Sequence, residues 1–423
     1  MKTIYSSILC LLALIFISSC TDKYSEELTM NVPVYLDYPT LRSSVQPAPA
    51  RELVHPGKIY FKGNYLLIVE HLEGIHILDV SNPANPQNKA FIEVPGCIDI
   101  AVQNNSLYAD SYVDLVTIDL SDITNPKETG RLKDVFPYTL PAAENYKLPY
   151  AEVNQEKGVV TGWEVKREER ALERQTYYPY YPMYNDAYAK GNSIGSSSTA
   201  SAGASASFGK GGSMARFGLY DRYLYIANSY ILFLFDVHNA TTPSKAGTQY
   251  LNGNIETMFI YDDHLFFGTP NGMLIYSLRV PSTPEYISTF WHATSFDPVV
   301  IQDDYAYITL HGNINRLDVV QLSSDYRQST LINSYNMAEP HGLGIDQNTL
   351  FICDGKEGLK IFDVADKRTI TNHLLASFPG IKTYDVIPVE GYLFMIGEDG
   401  FYLYDYSNIL DIKQIGHIPV LKD

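Results

Sequence analysis

The sequence predicts an all-β protein: a single β-propeller of four-stranded blades, eight in number, with seven as the alternative. Three observations predict it. A strand-like phrase returns along the chain, as YLLIVE at Tyr65, SLYADS at Ser106, YLYIAN at Tyr223, HLFFGT at His264, YAYITL at Tyr305, TLFICD at Thr349 and YLFMIG at Tyr392. Its second residue falls at 66, 107, 224, 265, 306, 350 and 393, so most steps span 41 to 44 residues. Each step holds four short apolar runs, for example DPVVIQ, YAYITLH, NRLDVVQL and QSTLINSYN. Four strands at a period of about 42 mark a propeller blade, in which radial stacking hides the strand edges.

The units open near residues 58, 98, 150, 214, 255, 297, 340 and 383. The one long step, from Leu107 to Leu224, contains YAEVNQ at Tyr150 and GVVTGW at Gly158. These read as a further unit enlarged at both ends; the count is seven if that unit does not complete a sheet. The third run of most units closes on an acid: Asp79, Asp119, Asp236, Asp363 and Asp405, with Asp318 in the same role and Ser277 replacing it once. Asn-Pro or Thr-Pro often follows. Aspartate there bonds the backbone amides of the exit turn and proline ends the ladder, so these acids read as structural rather than catalytic. The last unit brings its own fourth strand, KQIGHIPV from Lys413, and the ring is expected to close without exchanging a strand between the termini.

Composition narrows the function. A formal net charge of -17 argues against nucleic acid, which needs a basic face to displace counterions. The 34 tyrosines suit half-buried strands and exposed binding surfaces alike. At the N-terminus, Lys2 precedes the apolar run ILCLLALIFI (Ile8 to Ile17) and then Ser18-Ser19-Cys20. Residues 1–19 read as a secretory signal, too short to span a membrane comfortably. With Cys20 after the small pair, the segment resembles a bacterial lipoprotein signal, which implies cleavage before Cys20 and acylation of its thiol. Ile17 stands where such signals usually carry Leu. Asp22, Glu26 and Glu27 resemble the acidic signal of Bacteroidetes lipoproteins sent to the outer face of the outer membrane. The expected location is therefore the cell envelope, on an outer-membrane lipid anchor and exposed at the surface. Cys97 and Cys353 fall in different blades and are expected as buried thiols.

Two segments break the repeat. Residues 20–57 are polar with prolines and read as the tether between lipid and propeller (58–423), with a strand conceivable at VPVYLDY (Val32 to Tyr38). At about 165–213 an insertion starts with the charge run KREERALER and continues through a tyrosine cluster containing Tyr177, Tyr178, Tyr180, Tyr181 and Tyr184. It ends in a Gly/Ser/Ala tract, too poor in apolar area to order itself. The tyrosines either grip a partner at little entropic cost or pack back on the neighbouring blades. Blade geometry puts this insertion and the shorter PYTLPAAENYKLP, from Pro137, on one face, and removing Lys166 to Ser213 is expected to leave the propeller folded.

On that face the first strands begin at Lys58, Asp99, Glu152, Arg216, Glu256, Asp297, His341 and Asp385. Clustered carboxylates suit a hard cation such as Ca²⁺; the competing reading is a water-filled channel that tolerates charge, and the residues favour it. Around the rim, the turns between second and third strands offer Glu70, His71, Asp110, Tyr112, Trp163, Glu164, His311, Asp354 and Glu398. The chain has no HExxH, GxSxG, P-loop, CxxC pair or dinucleotide fingerprint. No catalytic residue, no cofactor and no transition-metal site is therefore assigned.

LLIVE and GIHILDVSNP resemble the LVIVD repeats of bacterial propeller proteins. The longer run from Lys58 through LVTIDLSD closely resembles uncharacterised LVIVD-repeat lipoproteins of the Bacteroidetes. That resemblance implies a propeller in a surface-lipoprotein setting and carries no activity with it. The expected function is a non-enzymatic envelope scaffold that binds an outer-membrane protein or a glycan through the insertion-bearing face. The alternative is a carbohydrate-active hydrolase or lyase using carboxylates on that face.

Overall fold

The structure, a computed structural model, describes residues 25–171, 183–184, 210–292 and 298–421. Cys20, Asp297, Tyr177, Tyr178, Tyr180 and Tyr181 lie outside the described residues, as does the acidic stretch expected to direct surface export up to Tyr24. Seven blades form the ring. Their strands lie within Pro56–Glu93, Ile100–Leu132, Phe217–Ile255, Thr257–Trp291, Val299–Asn336, Leu343–Phe378 and Thr383–Pro419. In blade 3 the second and third strands form one run, Tyr223–Asp236, that turns at Ser229 with φ 50°.

The same local devices recur in every blade. The first turn holds a left-handed residue at Gly63, Asn104, Asp221, Asp262, Asp303, Gln347 or Glu390, a conformation in which Gly, Asn and Asp are enriched. At the far end of the third strand one amide bonds back across that turn: Val80 N to Asn64 O, Leu120 N to Asn105 O, Val237 N to Arg222 O, and so on to Tyr406 N with Gly391 O. The exit aspartates do what their position predicts. Asp79, Asp119, Asp236, Asp363 and Asp405 accept the amides of Ser81, Ser121, His238, Ala365 and Ser407 at 2.8 to 3.0 Å. Asp318 does not belong with them. It sits inside its strand, buried, between Arg316 and Ser334 Oγ at 2.8 and 2.6 Å.

The strands read as continuous apolar runs because both faces of each sheet are covered by the next blade. One core spans blades 1 to 3, another joins blades 3 and 4, and a third spans blades 4 to 6. Two more join blades 6 to 7 and 7 to 1. The ring closes by packing: Phe61 of blade 1 stacks on Phe394 of blade 7 with centroids 5.0 Å apart. Leu53 bridges Val420, and Leu421 N donates to Leu53 O at 2.7 Å. The fourth strand of blade 7, Lys413–Pro419, is its own, as expected.

The expected eighth blade is absent, and the alternative of seven holds. The inner strands of blades 2 and 3 are direct neighbours. Val159–Ala171 instead pairs antiparallel with Ser25–Leu36, forming a two-stranded ribbon. The physical reason lies in the charge run: Glu164 to Glu168 are exposed, and such side chains cannot be buried between two blades without partners. The segment expected as a tether is thus built into the molecule from Ser25. After a short helix, Tyr38–Leu41, it adds Gln46–Pro49 to the outer edge of blade 1. Pro47 and Pro49 there limit further edge pairing.

The ribbon, the helix and the Pro137 insert make a small lobe over blade 2. Leu41, Tyr112, Val113 and Val159 form one core; Leu140, Val153 and Val160 form another, flanked by Tyr35, Tyr138 and Trp163. Asp114 ties the lobe to the blade. Fully buried, it accepts Arg42 Nε at 2.9 Å, Arg131 Nη1 at 3.1 Å and Asp134 N at 2.9 Å. Burial alone raises its pKa, but these donors outweigh it and hold the carboxyl below its ordinary 3.8. Replacing Asp114 with Ala leaves two guanidinium groups facing an empty slot and should destabilise the fold by about 3 kcal/mol near neutral pH. Because the folded pKa is depressed, the contribution is complete above 3.8 and is lost as the pH falls below it. Denaturant melts of parent and variant should therefore differ at pH 7 and converge on acidification; a constant difference contradicts the assignment.

Candidate functional site

The channel along the ring axis is occupied by the chain itself. Lys210 and Gly211 pair antiparallel with Phe61 and Tyr60 on the inner strand of blade 1, and Gly212 N donates to Ile59 O at 3.1 Å. That inner strand runs away from the lobe-bearing face, so Lys210–Arg216 runs back towards it. Lys210 lies among Phe259, Val300, Leu343 and Val386, inner-strand residues of blades 4 to 7. Its ammonium donates to Pro388 O at 2.7 Å, and burial pushes its pKa down to about 8. What remains beside it is a cavity of about 10 Å³, room for a single water.

The rim carboxylates hold this segment. Asp385 Oδ1 accepts Ser213 N at 3.0 Å and Ser213 Oγ at 2.8 Å, while Leu343 N donates to Ser213 Oγ at 2.7 Å. Asp99 Oδ2 accepts the amides of Arg216 and Phe217 and receives Lys58 Nζ at 3.1 Å. Glycine is required at 212, where a Cβ would lie 1.9 Å from Asp385 Oδ2. So Lys58, Asp99, Arg216 and Asp385 do meet at the rim, as their alignment implied. There Asp99 and Asp385 accept backbone N–H groups of the plug. The buried carboxyl of Glu256 belongs to the same rim, its carbonyl facing Arg216 Nε at 3.4 Å. Glu152 does not: it is exposed on the lobe, because its unit is not a blade.

The expectation that Lys166 to Ser213 can be removed without harm is overturned at its last four residues. Only the glycine-rich ending, GKGGS directly before blade 3, could have signalled the plug. A backbone passing through a narrow bore needs glycine, but a mobile loop has the same composition.

The turn residues divide by role. Trp163 is a lobe residue: its Nε1 donates to Pro141 O at 2.8 Å and its ring meets Tyr150 edge-on at 4.8 Å. Tyr112, at φ 55°, is buried over Gly96. Of Tyr184 only the backbone is described, paired in parallel with Pro141. Glu70, Asp110 and Asp354 accept amides of the loop entering their own blade. His71 is half-buried, and burial together with the charges of His55 and Lys58 pushes its pKa down to about 4. Cys97 and Cys353 are buried free thiols, as expected.

One constellation was not anticipated. His311, at the second turn of blade 5, and His341, in the loop entering blade 6, bring their rings to 4.4 Å, and Glu339 joins them. The three ligand-type atoms lie within 4.8 Å of one another. His341 is fixed by its own amide to Cys353 O and its carbonyl to Thr309 Oγ1, both at 2.6 Å. Burial first, then His311 and Lys382, push its pKa down to about 3; burial also lowers that of His311. Burial thus favours the neutral form of each ring, the state in which imidazole ligates metal. No motif spacing shows this site, because the two histidines stand on adjacent blades and are joined only by the ring's geometry.

The LVIVD repeat model matches residues 57–91 and 97–134, which are blades 1 and 2. No curated protein matches the chain. Among solved structures it is similar to a protein from Lactobacillus plantarum, with a TM-score of 0.54 and 10% identity over 86% of this chain and 97% of that one. It is also similar to the periplasmic gluconolactonase of Pseudomonas aeruginosa, with a TM-score of 0.52 and 10% identity over 86% and 96% of the two chains. At that identity the likeness shows the fold alone. The chain carries LVIVD repeats in blades 1 and 2 and folds as a seven-bladed β-propeller.

The plug makes a pH prediction. Burial raises the Asp385 pKa to about 7, against hydrogen bonds from Ser213 and Val386 that lower it. A carboxyl raised in the folded state binds more protons there than in the unfolded chain. Its contribution to stability therefore falls as the pH rises from about 4 to about 7. Asn at 385 keeps an oxygen for Ser213 and cannot ionise. In thermal melts from pH 5 to 8 the parent should lose stability relative to Asp385→Asn; parallel curves would show that the carboxyl titrates normally.

Proposed function

We propose that this protein is a non-catalytic binding scaffold of the bacterial cell envelope, held by lipid on Cys20 at the outer membrane, that docks a partner protein through its lobe-bearing face. The observation that carries the proposal is the plugged channel. A small-molecule or catalytic site needs a concave pocket of roughly 300 Å³ or more, and the cavity beside Lys210 on the axis measures about 10 Å³. The chain spends its departures from the repeat on outward surface instead. The ribbon exposes Glu164 to Glu168, with Val165 46% exposed, and among the described residues its outer part pairs with no third strand. Unpaired strand edges are ready sites for an added strand from a partner. The signal-like N-terminus and the resemblance to Bacteroidetes surface lipoproteins support the envelope setting, and the acidic surface is compatible with a basic partner rather than nucleic acid. A glycan ligand and a carbohydrate-active enzyme are the readings the test must separate from this one.

The experiment places a photocrosslinking amino acid at Val165 on the ribbon and, as control, at Ser282 on the opposite face, in cells that process lipoproteins. Discrete protein adducts from position 165 and none from 282 are expected, in the membrane fraction for the parent and lost from it for Cys20→Ser. Adducts only from 282, or none from either with turnover of an oligosaccharide by the purified protein, would overturn the proposal. Retention of Cys20→Ser in the membrane would remove the anchor alone.

A further inference from the structure

We infer that His311, Glu339 and His341 form a binding site for a divalent transition-metal ion of the zinc class. The argument begins with an unmet need. The His341 side chain is 1% exposed, and its Nε2 has no hydrogen-bond partner among the described residues. Glu339 Oε1 stands 3.8 Å from it, beyond a hydrogen bond. Leaving such a nitrogen buried and unsatisfied is costly. An ion set between Nε2, the Glu339 carboxylate and the His311 ring satisfies it.

The donor set selects the ion. Two imidazoles and one carboxylate suit Zn²⁺ and its neighbours, whereas Ca²⁺ and Mg²⁺ ask for six or more oxygens. Zinc bonds of about 2.0 to 2.2 Å put ligand atoms about 3.3 to 3.5 Å apart. The ligand atoms now lie within 4.8 Å of one another, so binding would draw them together by up to about 1.5 Å. The support is already rigid. Asp354 accepts the amides of Ala338 and Glu339 at 2.9 and 2.8 Å and is itself held by Lys360 at 2.6 Å. Tyr384 meets the His341 ring edge-on at 6.2 Å, and the Lys382 ammonium lies over the Tyr384 ring at 5.8 Å. The Lys382 ammonium thus stands close to the cluster. Its positive charge repels an arriving cation. Three protein ligands leave a fourth position open for water or an anionic group, on the face that carries the second-to-third-strand turns.

The test uses the full mature chain after chelation, titrated calorimetrically with Zn²⁺ alone and with Ca²⁺ alone, and spectroscopically with Co²⁺. One Zn²⁺ per chain, a raised melting temperature, visible Co²⁺ absorption of low-symmetry type and no response to Ca²⁺ are expected. Glu339→Gln and His311→Ala, both at turns, should melt as cooperatively as the parent and weaken Zn²⁺ by about 100-fold or more, since each ligand carries a few kcal/mol of the binding energy. Lys382→Met should bind more tightly than the parent. No Zn²⁺ uptake by the parent, or uptake unchanged in both ligand variants, would overturn the inference.

Discussion

The Asp385 carboxylate, buried at the mouth of the ring and closed around the backbone and hydroxyl of Ser213, sets what the rest of the molecule can be. Its partner Asp99 does the same for Arg216 and Phe217, with Lys58 bound alongside. Seven wedge-shaped blades leave an axial bore wherever their inner strands cannot touch. Here that bore is filled by a strand-like segment that is hydrogen-bonded to blade 1 and acid-bound to blades 2 and 7. The same carboxylates that look like a cation site in one dimension are acceptors for amides that would otherwise be orphaned in a narrow interior. Along Lys210–Arg216 the axis is occupied by the chain itself, and the chain's other departures from the repeat lie in the lobe.

A second use of carboxylates runs through the blades. At or beside the end of the second strand, three of them carry Glu70, Asp110 or Asp354. Each accepts two successive amides of the loop leading into a blade: Val54 and His55, Ile98 and Asp99, Ala338 and Glu339. These acids are joints. Asp354 matters further because the residue it fixes, Glu339, is the one that completes the pair of histidines. A structural joint in blade 6 thus sets the geometry of a chemically capable cluster.

What the sequence made legible was local. The period, the exit turns at Asp79 or Asp405 and the self-contained last blade follow from residues within one unit, where hydrogen bonds span a few positions. Asp318 differs from the exit acids because its strand continues four residues past it, to Leu322. The blade count turned on a pairing between Leu36 and Val159 that no period encodes, since the N-terminal strand is not part of the repeat. The plug was hidden by composition, because glycine serves mobility and close approach equally. His311 and His341 are brought together by the ring, 30 positions apart in the chain. Glu339, lacking any repeated role, gave no sign at all.

The central claim is that Lys210 to Phe217 is an integral part of the ring's axis, and hydrogen–deuterium exchange on the intact chain tests it directly. The amides of Gly212, Ser213, Arg216 and Phe217 have acceptors on blade 1 or on the buried aspartates. They should exchange as slowly as those of the inner strands Pro56–Lys62 and Thr383–Val389 and open only with global unfolding. Exchange at the rate of an unstructured peptide across this segment, with those inner strands still protected, would show an open channel and contradict the account.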